Sequence, residues 1–219
     1  AFNSKLAVEV LAARSVNPMV NAGAMAAVSL VKASSEEERW LAVHENLSGY
    51  AGVDDLPVLE KVEVSEYETA YGNRGIANNL FNYGRLYADP EETLRVYTRA
   101  CSVGVNTLEL ALMGATLANG GVNPKTQKRL LATEHVPELL AIMMAAGFYD
   151  ESGWWSYSAG LPAKTGVGGG IVAVAPGRLA IAAFSPRLNE AGNSVRALKA
   201  IEFISSQLSL GVFGANQGE

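Results

Sequence analysis

The sequence contains few of the residues from which disulfide frameworks and metal sites are built. Cys101 is the single cysteine, which excludes an intrachain disulfide and suits a reducing compartment such as the cytoplasm. The two histidines, His44 and His135, have no second histidine or cysteine at ligand spacing, so we predict no metal site. Their spacing is compatible with a Ser–His triad, but solvated or helix-capping histidines are the commoner explanation.

Positive charge and long apolar runs are also scarce. The 17 basic residues against 22 acidic ones give a net charge of −5, which argues against nucleic acid as a partner. The uncharged run from Ser15 to Val31 contains Asn17 and Pro18, so we predict no membrane span and a cytoplasmic protein. The chain begins at Ala1 rather than methionine, and we expect processing or an excerpt from a longer protein.

Helix signals dominate the first two thirds of the chain. Ser-x-x-Glu capping boxes, an Asp-Pro start and glycines after the last periodic residue mark the helix ends. The predicted helices run from Asn21 to Val31, Ser35 to Glu45, Ser65 to about Tyr83, Asp89 to about Ala100, Asn106 to Asn119, and Val136 to Gly147.

Strand signals follow in the last third. Trp154–Ser158, Ala163–Ala175 and Leu179–Ser185 have strand-like patterns, with a turn at Pro176-Gly177 between the last two. A final amphipathic helix is predicted from about Ser194 to Leu208. This order predicts an α+β fold with an antiparallel sheet in a single domain over residues 1–219, and so small a sheet needs additional strands.

The most informative segment is Leu161–Gly170, in which the triplet Lys164-Thr165-Gly166 precedes further glycines and an apolar run. Penicillin-recognising serine enzymes place such a triplet on the strand that faces the nucleophile. There the lysine offers a cation to a substrate carboxylate, and strand N–H groups can stabilise an oxyanion. The triplet also occurs by chance on solvated sheet edges.

Several other polar residues are candidates for a site. Glu66 and Asn73 are seven residues apart on the helix predicted from Ser65, so both should project from one face and could bind the amine and carboxylate of an amino acid. A solvent-facing polar stripe is the alternative. Asn21 either caps a helix or makes buried hydrogen bonds, while Tyr97 and Tyr149 lie where tyrosines often serve only in packing.

One Ser-x-x-Lys motif, Ser29 to Lys32, occurs in the chain. A serine of this kind is activated at the start of a helix, whereas Ser29 lies near the end of the predicted one. We therefore expect that Ser29 is not a nucleophile.

Together these segments resemble the bacterial and mitochondrial serine-dependent glutaminases, which have a β-lactamase-like fold. The resemblance follows family order over nearly the whole chain. The matching segments are Asn17–Ala24, Ser65–Thr69 with Asn73, Tyr97–Ser102, Ala115–Gly121, Gly147–Asp150, Gly160–Gly170 and Ser185–Ser194.

The resemblance implies hydrolysis of L-glutamine to L-glutamate and ammonia through a serine acyl-enzyme, in a homodimer or homotetramer without a metal or organic cofactor. The Val167 N–H is expected on the strand wall in the oxyanion hole, and the Tyr149 phenol as proton relay, its pKa lowered by a nearby ammonium. Lys164 either helps electrostatically or holds the strand. The residues implied in glutamine contact are Asn21, Glu66, Asn73, Tyr97, Tyr149 and Val167.

The chain departs from the family pattern at the nucleophile. The family's Ser-x-x-Lys motif precedes the Asn-Ala-Gly-Ala segment, yet Ser4 and Ser15, which precede it here, have no lysine three residues on. We therefore expect the C-terminal two thirds of a glutaminase without its first strands, inactive alone. The alternatives are a non-catalytic amino-acid-binding or scaffold protein and a penicillin-recognising serine hydrolase.

Overall fold

The computed structural model describes residues 17–213, so Ser4 and Ser15 lie outside the described residues. The chain divides into two compact units. The first takes residues up to 48 and 54–104, and the second takes residues 49–53 and those from 105 onward. The single domain expected over residues 1–219 stays a prediction.

The first unit is helical. Its core packs Ala22 and Met25 of the first helix against apolar side chains of the fourth and fifth helices, including Leu80 and Leu94. Gly23 permits a close approach, because a Cβ there would lie 1.9 Å from the Asn17 carbonyl oxygen. The helices are α1 (Asn21–Leu30), α2 (Glu36–Ala51, which ends in the second unit), α3 (Glu60–Glu68), α4 (Tyr71–Asn82) and α5 (Pro90–Cys101).

Local capping signals identified several helix ends correctly. The Asp89 carboxylate accepts hydrogen bonds from the N–H groups of Glu91 and Glu92, as the Asp-Pro signal predicts for the start of α5. The Ser35 hydroxyl accepts a bond from the Glu38 N–H, but α2 then continues to Ala51, six residues beyond the predicted end.

The single helix predicted from Ser65 to Tyr83 is wrong, because the segment forms two helices. Helix α3 begins at Glu60, five residues before Ser65. The N–H of the preceding residue, Leu59, donates to the Ser102 carbonyl and anchors the start of the helix. It ends where the Thr69 hydroxyl bonds back to the Ser65 carbonyl. The buried Ala70 then precedes α4. A contact from a distant part of the chain therefore overrides the local capping pattern.

The second unit combines a sheet with helices. Its described elements are α6 (Thr107–Ala118), α7 (Val136–Ala146), α8 (Ser152–Ser158), β1 (Ala163–Thr165), β2 (Gly170–Ala175), β3 (Leu179–Phe184) and α9 (Val195–Gln207), with 3₁₀ turns at Thr133–His135 and Tyr149–Glu151. The sheet is antiparallel in the order β1-β2-β3, which confirms the predicted sheet type and the α+β class. The strand predicted over Ala163–Ala175 is two strands with a glycine-rich turn between them. That additional strands belong to this sheet stays a prediction.

The strand predicted over Trp154–Ser158 is wrong, since these residues form α8. Trp155 is buried and stacks on Phe148 with ring centroids 4.1 Å apart, and its indole N–H donates to the Leu161 carbonyl. Trp154 and Tyr157 are exposed. The buried residues Ser152, Trp155 and Ala159 recur at the spacing of a helix rather than at every second position, as in a strand.

The two faces of the sheet have different neighbours. On one face α6 approaches closely at Gly114, where a Cβ would lie 2.6 Å from Val172. On the other face Ile171 packs with Phe148, Trp155 and Ile201 of α9 in the main core of the unit. Because side chains alternate along a strand, Lys164 lies on the same face as Val172, its register partner on β2.

Candidate active site

Two predicted site residues of the first unit are bonded to each other. Asn21 is the first residue of α1, and Asn73 lies in the first turn of α4. The Asn21 Nδ2 donates to the Asn73 Oδ1 at 2.9 Å, and both residues are half-buried. The bond sets two carboxamides side by side, which is an arrangement that can bind carboxylate and amide groups.

Tyr97 and Glu66 also come together in this unit, around Cys101. Tyr97 packs against the apolar core, and Cys101 follows it by one turn of α5. Cys101 has exposed surface, yet burial around the sulfur raises the pKa of its thiol. A hydrogen bond with Tyr97 acts in the opposite direction, and the negative charge of Glu66 raises the pKa further. Sequence reasoning treated Cys101 only as a lone thiol, although its spacing of four from Tyr97 indicates a shared helix face.

The prediction that Glu66 and Asn73 lie on one helix face is wrong, because they belong to α3 and α4. Their sequence neighbours, Tyr67 and Arg74, are instead joined through Glu91 of α5. Tyr67 Oη donates to Glu91 Oε1 at 2.6 Å, and Arg74 Nε donates to Glu91 Oε2 at 3.1 Å. These bonds lower the pKa of Glu91, Arg74 having the larger effect. A shared carboxylate thus ties together the two helices that carry Glu66 and Asn73.

In the second unit, Tyr149 follows a close contact between α7 and the sheet. A Cβ on Gly147 would lie 1.7 Å from the Ala163 carbonyl oxygen, so only glycine lets β1 approach the end of α7. The Thr165 N–H donates to the Gly147 carbonyl at 3.1 Å. Tyr149 itself has a φ of 53°, in the left-handed region that a residue with a side chain rarely adopts.

Lys164 lies against the ring of Tyr149. Its ammonium is 4.5 Å from the ring centroid and donates to the Thr165 carbonyl. The expectation that an ammonium lowers the Tyr149 pKa is wrong, because burial raises the pKa of the phenol. The same cause lowers the pKa of Lys164 to about 8. The phenol is therefore protonated at neutral pH, and the pKa of the Lys164 amine lies closer to neutral pH than that of a solvated lysine.

Val167 lies on the turn between β1 and β2 rather than on the expected strand wall. Within residues 17–213 its N–H donates to no group, while Gly166 and Gly170 close the turn with a 3.0 Å bond. The Cβ position of Gly192 is 3.6 Å from Val167 Cγ1 and 3.9 Å from Tyr149 Cε2. Gly192 thus lies beside both predicted catalytic residues. The sequence did not point to Gly192, because a lone glycine has no reactive group.

Ser29 has the environment of a structural serine. It is buried near the C-terminal end of α1, as the sequence predicts. Its hydroxyl donates to the Ala26 carbonyl at 2.7 Å and accepts from the Tyr87 N–H at 3.1 Å. Both bonds hold the oxygen inside the first unit.

The histidines make local contacts. The sequence favoured solvated or helix-capping histidines, but the His44 side chain is only 11% exposed and its Nε2 lies 2.8 Å from the Leu56 carbonyl oxygen. His135 is exposed beside Glu138. Within the described part of the chain, no cluster of histidine, cysteine and acidic residues is arranged to hold a metal ion. None of the helices described between residues 17 and 213 has the length and apolar character to cross a membrane.

Comparison with known proteins places these residues in a family. The family model named Glutaminase matches residues 1–213. A glutaminase of Colwellia psychrerythraea is 51% identical over 213 residues, which cover 97% of this chain and 68% of that protein. Glutaminase 1 of Escherichia coli strain K12 is 48% identical, with coverage of 97% and 68%. The chain therefore spans about two thirds of the length of these relatives.

Solved structures agree with this assignment. The structure of a probable glutaminase, ybaS, has a TM-score of 0.94 at 47% identity and is covered over 69% of its length, against 99% of this chain. The Bacillus subtilis glutaminase YbgJ, in covalent complex with 5-oxo-L-norleucine, has a TM-score of 0.86 at 31% identity, with 90% of this chain and 70% of that protein covered. The predicted family and its β-lactamase-like α+β fold are confirmed. The chain belongs to the glutaminase family of amidohydrolases.

Proposed function

We propose that this chain carries the substrate-binding and proton-transfer residues of an enzyme that hydrolyses L-glutamine to L-glutamate and ammonia. The observation that carries the proposal is family membership over residues 1–213, joined to the grouping of the implied residues within each unit. The reaction needs no metal or organic cofactor, since acyl transfer requires a nucleophile, a proton relay and an oxyanion donor.

The residues of the first unit fit the amino-acid part of the substrate. Glu66 is exposed at the end of α3, and its carboxylate pairs with the α-ammonium. The carboxamides of Asn21 and Asn73 and the phenol of Tyr97 bind the α-carboxylate and the side-chain amide. The 2.9 Å bond between Asn21 and Asn73 supports this role, because it presents both carboxamides in a fixed orientation.

The residues of the second unit fit the reacting amide. Attack of a serine oxygen on the amide carbon forms an oxyanion, which the Val167 N–H stabilises. The C–N bond then breaks as the Tyr149 phenol gives its proton to the leaving nitrogen, which departs as ammonia, and the phenol oxygen takes up the serine proton in exchange. Water then hydrolyses the ester to glutamate and the free serine. The pKa of the Tyr149 phenol lies above its usual value of 10, so the phenol has its proton at neutral pH.

The nucleophile is not Ser29 in this proposal, because its oxygen is committed to two backbone bonds in a buried place. The 219 residues by themselves are then expected to bind glutamine without releasing ammonia. A non-catalytic amino-acid-binding protein is the second candidate, favoured by this same observation. We also propose that the protein is cytoplasmic and assembles as a homodimer or homotetramer. Sedimentation analysis tests the assembly.

Covalent labelling tests whether Ser29 is the nucleophile. The related YbgJ reacts with 6-diazo-5-oxo-L-norleucine to form a covalent complex. Treatment of the 219-residue chain with this compound, followed by peptide mass mapping, should give no adduct on Ser29. An adduct there that disappears in Ser29→Ala would make Ser29 the nucleophile after all.

Two variants in a protein with measurable glutaminase activity test the residue roles. Glu66→Gln should weaken glutamine binding by about 1.5–3 kcal/mol and have little effect on an analogue without the α-amine. Glu68→Gln, at the exposed end of the same helix, is the control. Equal losses for both ligands would give Glu66 a structural role.

Tyr149→Phe should lower kcat on the order of 10²-fold with a much smaller change in KM, since only the proton donor is removed. Tyr157→Phe, in which the altered side chain is 85% exposed, is the matched control. A normal kcat in Tyr149→Phe would reduce Tyr149 to a packing residue.

A further inference from the structure

Glu151 holds an unusual set of partners close to Tyr149. Its carboxylate oxygens accept hydrogen bonds from Asn189 Nδ2 at 3.1 and 3.0 Å, and one of them also accepts from Asn193 Nδ2. Over the described residues 17–213, Glu151 forms no ion pair. A carboxylate whose partners are all neutral amide donors serves geometry rather than charge neutralisation.

The same amides close the loop between β3 and α9. Asn189 and Asn193 exchange backbone and side-chain bonds, since the Asn189 N–H donates to the Asn193 carbonyl and the Asn193 N–H to Asn189 Oδ1. The Gly192 N–H donates to the Asn189 carbonyl at 3.0 Å. Asn193 is fully buried. The loop therefore has a defined shape, and Gly192 is held at its tip beside Tyr149 and Val167.

The backbone at Tyr149 requires support of this kind. A φ of 53° for a tyrosine costs free energy, and such a conformation persists only where surrounding contacts determine it. Ser152 provides one contact, donating its hydroxyl proton to the Tyr149 carbonyl at 2.8 Å. Glu151, in the same 3₁₀ turn, provides the contact to the loop.

We propose that Glu151 is a positioning residue, which through Asn189 and Asn193 fixes Gly192 against Tyr149 and Val167. The proposal rests on the proposed function in one respect, that Tyr149 and Val167 act on the reacting amide. The consequence is that the hydrogen bonds of Glu151 set the distance between the proton donor and the oxyanion donor, while Glu151 itself does not contact the substrate.

The variant Glu151→Gln tests this directly. The amide has nearly the same shape and can keep one oxygen in the place of Oε2, which accepts from both Asn189 and Asn193. In the place of Oε1, however, an NH2 group then faces the Asn189 Nδ2, so a donor replaces the second acceptor for Asn189. Glu190→Gln changes an exposed glutamate in the same loop and is the control. Hydrogen exchange followed by mass spectrometry should show faster exchange over residues 188–193 and 149–152 in Glu151→Gln only.

A second readout follows Tyr149 itself. With 3-fluorotyrosine incorporated, the fluorine resonance assigned to Tyr149 should shift or broaden in Glu151→Gln and stay unchanged in Glu190→Gln. In a protein with glutaminase activity, kcat should fall on the order of 10-fold to 10²-fold with KM nearly unchanged, the pattern of a misplaced catalytic group. A general loss of stability would not separate kcat from KM in this way.

A compensating variant makes the test sharper. In Glu151→Gln/Asn193→Asp the new amide can donate to the new carboxylate and still accept from Asn189, so loop protection should return at least in part. Unchanged exchange and an unchanged fluorine spectrum in Glu151→Gln would overturn the proposal, even if the double variant fails to fold. If the wild type lacks activity, the proposed function fails while the exchange and fluorine data still decide the role of Glu151.

Discussion

The two units hold their candidate residues by different physical means. In the first unit, the helices that carry Glu66 and Asn73 are tied by charged groups near the surface, with Glu91 between Tyr67 and Arg74. In the second unit, Tyr149 and Val167 are positioned by close backbone approach, buried rings and neutral amide bonds. Ion pairs hold one group of residues, and packing together with the amide hydrogen bonds to Glu151 holds the other.

This difference predicts different vulnerabilities. Exposed ion pairs contribute modest free energy, and salt or acid can weaken them without altering the fold. Close packing tolerates salt but not added volume, because its neighbours have no room to move. Substrate binding and substrate turnover should therefore respond to different perturbations, if the roles proposed for the two groups are correct.

The largest effect is expected from Gly147→Ala. The added Cβ would lie 1.7 Å from the Ala163 carbonyl oxygen, so either α7 or β1 must move. We expect a loss of roughly 3 kcal/mol in unfolding free energy, at the upper end of what overpacking costs. Urea denaturation followed by tryptophan fluorescence measures it, because Trp155 reports on this core.

Gly153→Ala provides the control for that prediction. Apart from its chain neighbours and the backbone of its own helix, no atom lies within 4 Å of a Cβ at this exposed position, so the variant should be neutral or slightly more stable. If the two alanine variants are equally stable, packing is not what holds Tyr149 against the sheet, and the comparison between the units loses its basis.

An intermediate effect is expected from Glu91→Gln, which removes the shared carboxylate. We expect the free energy of unfolding to fall by about 1.5 kcal/mol, and this loss to be smaller in 1 M salt. Glutamine binding should also become weaker. Because the folded-state pKa of Glu91 lies below its usual value of 4.5, its contribution is present above that pH and is lost as the pH falls through the lowered pKa. Urea melts at several pH and salt values give the comparison.

Glu45→Gln is the matched control, since Glu45 is exposed on α2 and makes no hydrogen bond or ion pair within the described residues. The unfolding free energy of Glu45→Gln should change with salt and pH only as much as that of the wild type does. A salt-independent loss in Glu91→Gln would mean that packing, not charge, joins the helices of the first unit.

The smallest effect is expected from the titration of Lys164. Its folded-state pKa of about 8 lies below the usual 10.5, so between these values the native state binds fewer protons than the unfolded state. The wild type should therefore gain stability relative to Lys164→Met as the pH rises from 8 to 9.5. We expect this gain in unfolding free energy to be less than about 1 kcal/mol, because the Tyr149 ring and the Thr165 carbonyl favour the charged form of Lys164.

The reference for this measurement is Lys199→Met, which alters an exposed lysine on α9. Its stability difference from the wild type should not vary over the same pH range. A constant difference for Lys164→Met as well would show that the ammonium is not penalised by burial.

Features that depend on a few neighbouring residues were predicted well. Asp89 and Asn106 cap their helices through bonds to N–H groups two and three residues away, and Pro176-Gly177 turns the chain between β2 and β3. The sequence pattern contains every partner in such features. The α+β class and the family followed from the order of these local signals and motifs.

The wrong predictions share a different origin. The start of α3 depends on a bond from Leu59 to Ser102, and α8 depends on the core in which Trp155 meets Phe148. The raised pKa of Tyr149 depends on its burial, which no local pattern reveals. In each case the deciding partner or environment comes from the packing of the folded chain.

The sequence by itself therefore determined the family, the fold class and the identity of the candidate residues, because motifs and caps are properties of short segments. Only the tertiary structure decided which helix carries Glu66, that Val167 lies on a turn, and that Glu151 and Gly192 belong beside Tyr149. The physical reason is that distances between segments are set by core packing and by acceptors shared between them, and a linear pattern contains neither.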